Sequence, residues 1–484
     1  MTLATRPPQV SAPQPAPPPA PRGELPSAAG RTRRRPRRFT RSVQIRVAMV
    51  VTALAIVFFA VSVHQAVTDA QKTVTAVGQD DTAGIQAAQR IKSDLAEMDL
   101  ITTQELLKPT ADKGSLPDAY VRKHKELVTD LDVASQQITL GTAETVPLAN
   151  LEYERAQYQA LVRDAILADQ DGDRSKALSL QQQAHEVMAG SLGLQEQADA
   201  FDKANTYALN QSYANHKSSS ASSGRMLLLS GFGLLAVLLV IQLWHVLGFH
   251  RLFNLGLASA TLVGAGVFLF STARISSSDQ HLTEAREHAF DPVHELWQAR
   301  AAAYLARQAE AQALLDPSRA DAAETVYQQA SGRLYRVPDA TTNIAESAKN
   351  FRVPTGVGGY LANELRNQSI SAAASAATKD TLTRFGDYDA AHQAVRAAAS
   401  SGKTDRAVTS FLAQGPGDNG YAFTQLVTAI YKTLSLNETA FTANADAAAH
   451  ALAGVDVLNA VAALVLLGLV MWGLSQRLRE YTGT

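Results

Sequence analysis

The chain has 484 residues, 18% of them charged, a net charge of −1 and no cysteine. That balance excludes a basic nucleic-acid surface over the chain as a whole, and the missing cysteines exclude disulfides and thiolate metal sites. The charged fraction sits below the roughly 25% of an ordinary soluble domain, and the shortfall is concentrated in four apolar runs at 47–63, 226–247, 252–273 and 455–474.

Residues 1–46 carry ten arginines, no lysine and one acidic residue, Glu24, together with Arg6-Pro-Pro and Pro13-Gln-Pro-Ala-Pro-Pro-Pro-Ala-Pro21. Such a segment cannot form a core and reads as disordered or polyproline II. Eight of its arginines, from Arg31 to Arg46, crowd against the first apolar run. The cluster attracts anionic lipid. Thr40 and Ser42, inside Arg37-Arg-Phe-Thr-Arg-Ser42, are candidate phosphorylation sites, because a phosphate there weakens that attraction. The run 47–63 is read as a retained transmembrane helix rather than a cleaved signal, since Ser62-Val-His-Gln-Ala66 is a poor small-x-small site.

Residues 64–225 read as a helical bundle. Ile85, Ala88, Ile91, Leu95, Met98, Thr102 and Leu106 recur at three- and four-residue spacing, a stripe that ends in a Pro- and Gly-containing break at 108–117. Further stripes run from Val121 to Ile138, from Leu148 to Ile166, and from Leu178 through Ala208 towards the second apolar run. Breaks fall at Gly141 and at Asp171-Gly-Asp173. Four helices with short breaks describe an up-down-up-down bundle.

The second and third apolar runs are separated only by the hairpin 248–251. Residues 274–454 then repeat the earlier plan. Gln104-Glu-Leu-Leu-Lys-Pro109 matches Gln312-Ala-Leu-Leu-Asp-Pro317, and the region around Tyr158 resembles that around Tyr388. The spacing between the matched features changes part-way, which locates an insertion near 334–359, with Val353-Pro-Thr-Gly-Val-Gly-Gly359 at its end. Duplication of a span–bundle–span unit accounts for this order. Irregular loops on a rigid scaffold often carry contacts, so Arg336, Arg352, Gly356, Gly358 and Gly359 are the candidate partner-docking residues; the three glycines also read simply as a flexible turn. The chain ends in a fourth span, 455–474, and a short tail, 475–484.

The expected fold is therefore an all-α membrane protein with four transmembrane helices and two extracytoplasmic four-helix bundles, internally duplicated. Each apolar run matches the about 20 residues that cross a hydrocarbon core. Arginine clustering on the N-terminal tail, Arg251 in the hairpin, and Arg477 and Arg479 at the end place both termini and the hairpin in the cytoplasm of a plasma-membrane protein. Both large loops hold more Asp and Glu than Lys and Arg, so neither is a nucleic-acid surface.

Catalytic motifs are missing: no phosphate-cradling Gly-rich loop after a strand, no H-E-x-x-H, no nucleophile elbow. Asp169-Gln-Asp-Gly-Asp173 starts like a calcium loop but lacks its later carboxylates, and reads as a turn with an Asp cap. His281, His288 and His294 share a helix without metal-ligand spacing. Gln242, Asn254, Asp456 and Asn459 fall near span ends, which suits interfacial residues or hydrogen bonds between spans rather than an ion path; Gly231, Gly233, Gly264 and Gly266 are the expected points of close span contact. The expectation is no enzyme, no metal and no cofactor.

Helical bundles flanked by spans resemble the sensor regions of bacterial chemoreceptors and sensor kinases, but no effector domain follows residue 474. Four spans, two outer bundles and no effector resemble the GlnX-type membrane proteins of actinobacteria, over about 47–474. The resemblance implies a transmembrane signal relay: an extracytoplasmic solute-binding lipoprotein for glutamate or aspartate engages the outer bundles, and a separate cytosolic Ser/Thr protein kinase receives the signal. Receptors of this shape often form homodimers. The competing expectation is a scaffolding protein of the cell envelope without ligand-dependent switching.

Overall fold

The computed structural model describes residues 41–76, 81–109, 116–138, 141–249, 254–337, 356–367 and 371–482. Helices dominate them. In chain order they are α1 (Arg41–Thr75), α2 (Asp81–Leu107), α3 (Asp118–Gln136), α4 (Thr142–Gln170), α5 (Arg174–Ala189), α6 (Leu194–Phe249), α7 (Leu255–Thr283), α8 (Asp291–Leu315), α9 (Ala320–Leu334), α10 (Tyr360–Arg366), α11 (Ala372–Ser400), α12 (Thr404–Leu412), α13 (Asn419–Leu452) and α14 (Val455–Thr482). A π-helical turn, Glu284–Phe290, joins α7 to α8 without a break. Among the described residues the one β-type pairing is an isolated bridge between Arg336 and Gly358.

Helix ends follow local chemistry. Asp173 caps α5 by accepting from the Lys176 amide at 3.0 Å, and Ser371 caps α11 through the Ala374 amide at 3.2 Å, each satisfying a donor that the first turn leaves open. After α4 the chain reverses at Gly172 and after α11 at Gly402, both with positive φ, the conformation that favours glycine. The stripe expected as one helix from Leu178 to Ala208 is two helices. α5 stops at Gly190, whose backbone is extended, and α6 starts at Leu194. The turn between them is tight enough that a Cβ on Gly193 would lie 2.6 Å from the Val187 carbonyl.

Four helices are long and apolar enough to cross a membrane. α1 packs on α6 and α14, and α7 packs on the same two, so α1, the C-terminal part of α6, α7 and α14 close a ring. Its interior holds Ile56, Phe59, Leu234, Leu238, Phe268, Leu466 and Val470. Its exterior is apolar as well: Leu229 is 75% exposed, Leu262 76% and Leu464 70%. A protein surrounded by water does not present such a belt; hydrocarbon accepts it.

The spans are joined by side-chain amides. Asn459 Nδ2 donates to the Ala60 carbonyl and Asn254 Nδ2 to the Gly473 carbonyl, each at 2.8 Å. Gln242 Nε2 donates to the Leu257 carbonyl at 2.9 Å. Close approach falls at one of the glycines expected, Gly231, and otherwise at Gly256 and Gly473. A Cβ on Gly256 would lie 2.7 Å from the Leu469 carbonyl and 2.8 Å from Gly473 Cα, and one on Gly231 would strike the Phe268 ring. Gly233 and Gly266 face open space, and Gly264 makes ordinary contacts only. Spacing along one helix does not reveal which glycine faces a neighbour, since that depends on how the helices are rotated about their axes.

Beyond this ring, α2–α5 and the start of α6 form one group of helices, and α8–α13 form another. The groups share a seam in which α2 lies along α8. Ala96, Leu100, Leu106 and Leu107 of α2 belong to the same apolar core as Leu296, Trp297, Ala303 and Leu314 of α8. α8 is buried along nearly its whole length, wrapped by α2, α9 and α13. Its many alanines are what allow three helices to press around it.

Candidate functional site at the seam

The seam is polar at its centre. Asp99 on α2 is wholly buried. Its carboxylate accepts from Tyr158 Oη at 3.2 Å and from Gln308 Nε2 of α8 at 2.7 Å, and His185 Nδ1 stands 2.8 Å away. Gln308 Nε2 also donates to Thr103 Oγ1 at 2.9 Å, where Gln181 Nε2 arrives at 3.0 Å. Four side chains from α4, α5 and α8 thus converge on Asp99 and Thr103 of α2. Buried carboxylates persist where hydrogen bonds satisfy them, and this network fixes the register of α2 against α8.

A second network lies within the α8–α13 group. Arg307, 1% exposed, pairs with Glu310 at 2.9 Å, stacks 3.6 Å above the Phe411 ring centroid and donates to the Phe411 carbonyl. Glu310 also accepts from Tyr388 Oη at 3.2 Å and Asn419 Nδ2 at 2.9 Å, with His392 Nδ1 at 3.1 Å. Burial, followed by the Glu310 charge, holds the Tyr388 phenol well above its ordinary range. Tyr158 and Tyr388 thus do the same thing in the two groups: each is buried on the second long helix after a span and donates to a carboxylate on the first.

Nearer the ring, Arg300 of α8 reaches across to Ser93 Oγ at 2.6 Å and Glu97 at 3.0 Å. Lys123 of α3 contacts Asp94 and Glu97, both at 3.2 Å. Burial pushes the Asp94 carboxyl up to about 6 against the pull of Lys123 and Arg300. Burial lowers the Lys123 ammonium, yet Glu97 and Asp94 outweigh it and leave it raised. On the far side of α8, burial lifts Glu364 to about 7, only partly offset by a hydrogen bond from Asn437 at 3.0 Å.

Beside the Asp99 network the seam opens into a cleft of about 390 Å³, walled by α2, α5 and α6 from one group and α8 and α9 from the other. Lys92, His185, Glu196, Asp199, Arg319 and Arg333 supply its charged and titratable lining. Lys92 and Asp199 form an ion pair. Gln308 Oε1 and Gln312 Nε2 are buried at the cleft without a protein hydrogen-bond partner. An unfilled buried donor or acceptor costs about 1–3 kcal/mol, so these two atoms mark where a ligand gains most. A second hollow adjoins the first, sharing Lys92, Asp199 and Arg333. Among the described residues no three His, Asp or Glu side chains gather as a metal-holding group.

Arg336 and Gly358 are paired through both backbone bonds, at 2.8 and 3.0 Å. They pinch together the two ends of the expected insertion. Gly359 has φ +102, and a Cβ there would press on the Leu334 carbonyl at 2.7 Å; Gly356 also has positive φ. These three glycines therefore belong to a defined turn held beside the end of α9 by Arg336, which lies three residues beyond Arg333. Arg352, most of 334–359 and Thr40 lie outside the described residues. Ser42 sits in the first turn of α1, far along the chain from the cleft. None of the described candidates lines the cleft. The residues that do were not singled out as a site, because Gln308 and Gln312 sit on a helix with no polar face; Gln312 was legible only as an anchor of the repeat. No protein-family model, curated protein or solved structure matches this chain.

Proposed function

We propose that this chain is a transmembrane signal relay of the plasma membrane. In this reading the α2–α5 and α8–α13 groups lie outside the cell as two duplicated helical bundles, and both termini are cytoplasmic. The observation that carries it is α6. It runs unbroken for 56 residues, about 84 Å, from Leu194 at the cleft to Phe249 at the far end of a span. Gln195, Glu196 and Asp199 of the cleft wall stand on its first turns. α8 continues likewise through the π-helical turn into α7. A change in how the two groups meet therefore displaces two spans as rigid rods. A partner or ligand drives such a change only by favouring one arrangement over the other.

Duplication is supported by paired features an equal distance apart in the chain. Tyr158 and Tyr388 donate to carboxylates on the first helix of their own group, and Gly172 and Gly402 reverse the chain after helices of 29 residues each. The family resemblance supplies the partners: an extracytoplasmic solute-binding lipoprotein for glutamate or aspartate, and a cytosolic Ser/Thr protein kinase. The arginine-rich tail is the inner attachment, on anionic lipid.

The chain's lack of cysteine makes the test direct. Cysteines introduced at the exposed Ser135 and Ser400 are expected to react with an impermeant thiol reagent in intact cells; protection until lysis at either site overturns the topology. Spin labels on the hairpin-side ends of α6 and α14 are expected to shift in separation when the lipoprotein partner loads the protein. Unchanged distances with that partner bound leave a scaffold, not a relay.

A further inference from the structure

We infer that the seam cleft itself binds a small dipolar solute that carries a carboxylate and a hydrogen-bond-donating nitrogen, as a free amino acid does. Gln308 is where the inference starts. Its side chain is 2% exposed, and its Nε2 sits 2.7 Å from Asp99 Oδ2. A carboxylate oxygen accepts and does not donate, so the amide nitrogen is pinned towards Asp99. The carbonyl Oε1 is thereby left buried in the wall of the cleft, where no protein donor meets it. It asks for an N–H or O–H. One turn further along α8, Gln312 holds a buried amide nitrogen that likewise has no protein partner and asks for an acceptor. Residues four apart on a helix stand about 6 Å from each other, a separation one small molecule bridges.

The rim has the matching charges. Arg319 and Arg333, at the two ends of α9, are exposed and have no ion-pair partner within 4.0 Å among the described residues. Glu196 on the opposite wall is exposed as well. Both signs therefore face the same space, which suits a molecule bearing both. The volume, about 390 Å³, falls in the range of roughly 300–1,000 Å³ typical of small-molecule sites. Because the walls come from both helical groups, an occupant that bridges Gln308 and Glu196 ties α8 to α6. This consequence rests on the relay reading; the binding itself does not.

The test uses the full-length protein in lipid nanodiscs and calorimetric titration with four probes: L-glutamate, L-glutamine, succinate and glycine betaine. Succinate has carboxylates and no nitrogen; betaine has a carboxylate and an ammonium without N–H. At least one of the two amino acids is expected to bind, with succinate and betaine weaker by about tenfold or more, the size of one lost charge-assisted hydrogen bond. Val326→Trp, at an exposed wall position, is expected to fill the cleft and abolish binding. Gln312→Leu is expected to weaken binding about tenfold while raising the melting temperature of the empty protein, because it removes the unpartnered amide. Three results overturn the assignment: no heat from either amino acid at millimolar concentration, betaine binding as tightly as the amino acids, or unchanged binding in Val326→Trp. Amino-acid binding with unmoved span labels supports the site and removes the relay.

Discussion

The apolar ring and the polar helices that continue from it use opposite means of joining helices. In the ring, lipid is as apolar as leucine, so burial offers little drive for association. The contacts there are backbone approaches at Gly256 and Gly473 and amide-to-carbonyl bonds from Asn254, Asn459 and Gln242. In the polar region burial supplies the drive, through Leu296, Trp297, Phe385 and their neighbours, and buried ions specify register. Arg307–Glu310 and Asp99–Gln308 are placements that water-driven packing permits only because every charge meets partners. Polar groups thus hold the ring together, whereas in the seam they decide which packing is correct.

The comparison breaks most sharply at Arg307. Arg307→Leu leaves Glu310 buried without its cation and is expected to cost about 3–5 kcal/mol, read by denaturant or thermal unfolding in detergent. Adding Glu310→Leu is expected to recover most of that loss; a double variant no better than the single one removes the register argument. Next comes Glu364. Its folded-state pKa is raised from 4.5 to about 7, so its contribution is fully present below pH 4.5 and is lost as the pH rises through 7. Glu364→Gln is expected to flatten this limb and to exceed the native protein in stability at pH 8, by on the order of 2–3 kcal/mol. Identical pH profiles for the two proteins contradict the burial of an unpaired acid.

In the ring the effects are smaller. Gly256→Leu forces α7 away from α14 and is expected to cost about 1–3 kcal/mol, whereas Gly266→Leu, which faces open space, is expected to cost little. Equal losses at the two glycines show that close approach is not what joins these spans. Asn459→Leu removes the bond to the Ala60 carbonyl and is expected to cost only about 0.6 kcal/mol, detected as a small drop in melting temperature of the nanodisc-held protein.

Much of the fold was legible because it rests on local periodicity. The apolar runs are long enough that no soluble alternative competes for them. The stripes from Ile85 to Leu106 and from Leu148 to Ile166 predict α2 and α4, and Asp171-Gly-Asp173 marks the turn that follows. Local signals erred where the choice was between neighbours. The Leu178–Ala208 stripe continues in phase across Gly190–Gly193, so it hides the break between α5 and α6.

Sequence alone determined the helices, the four membrane-crossing candidates and the spacing of the paired features, since each follows from side-chain size and polarity repeating along one strand of chain. Tertiary structure decided that α8 is the buried axis, that Gly256 rather than Gly264 is a point of contact, and that Gln308 lies in the wall of a cleft. Those facts depend on pairs such as Asp99 with Gln308 and Lys92 with Asp199 meeting across long separations in the chain. No single helix encodes such a meeting, because the rotation of each helix about its axis is set by all its neighbours at once.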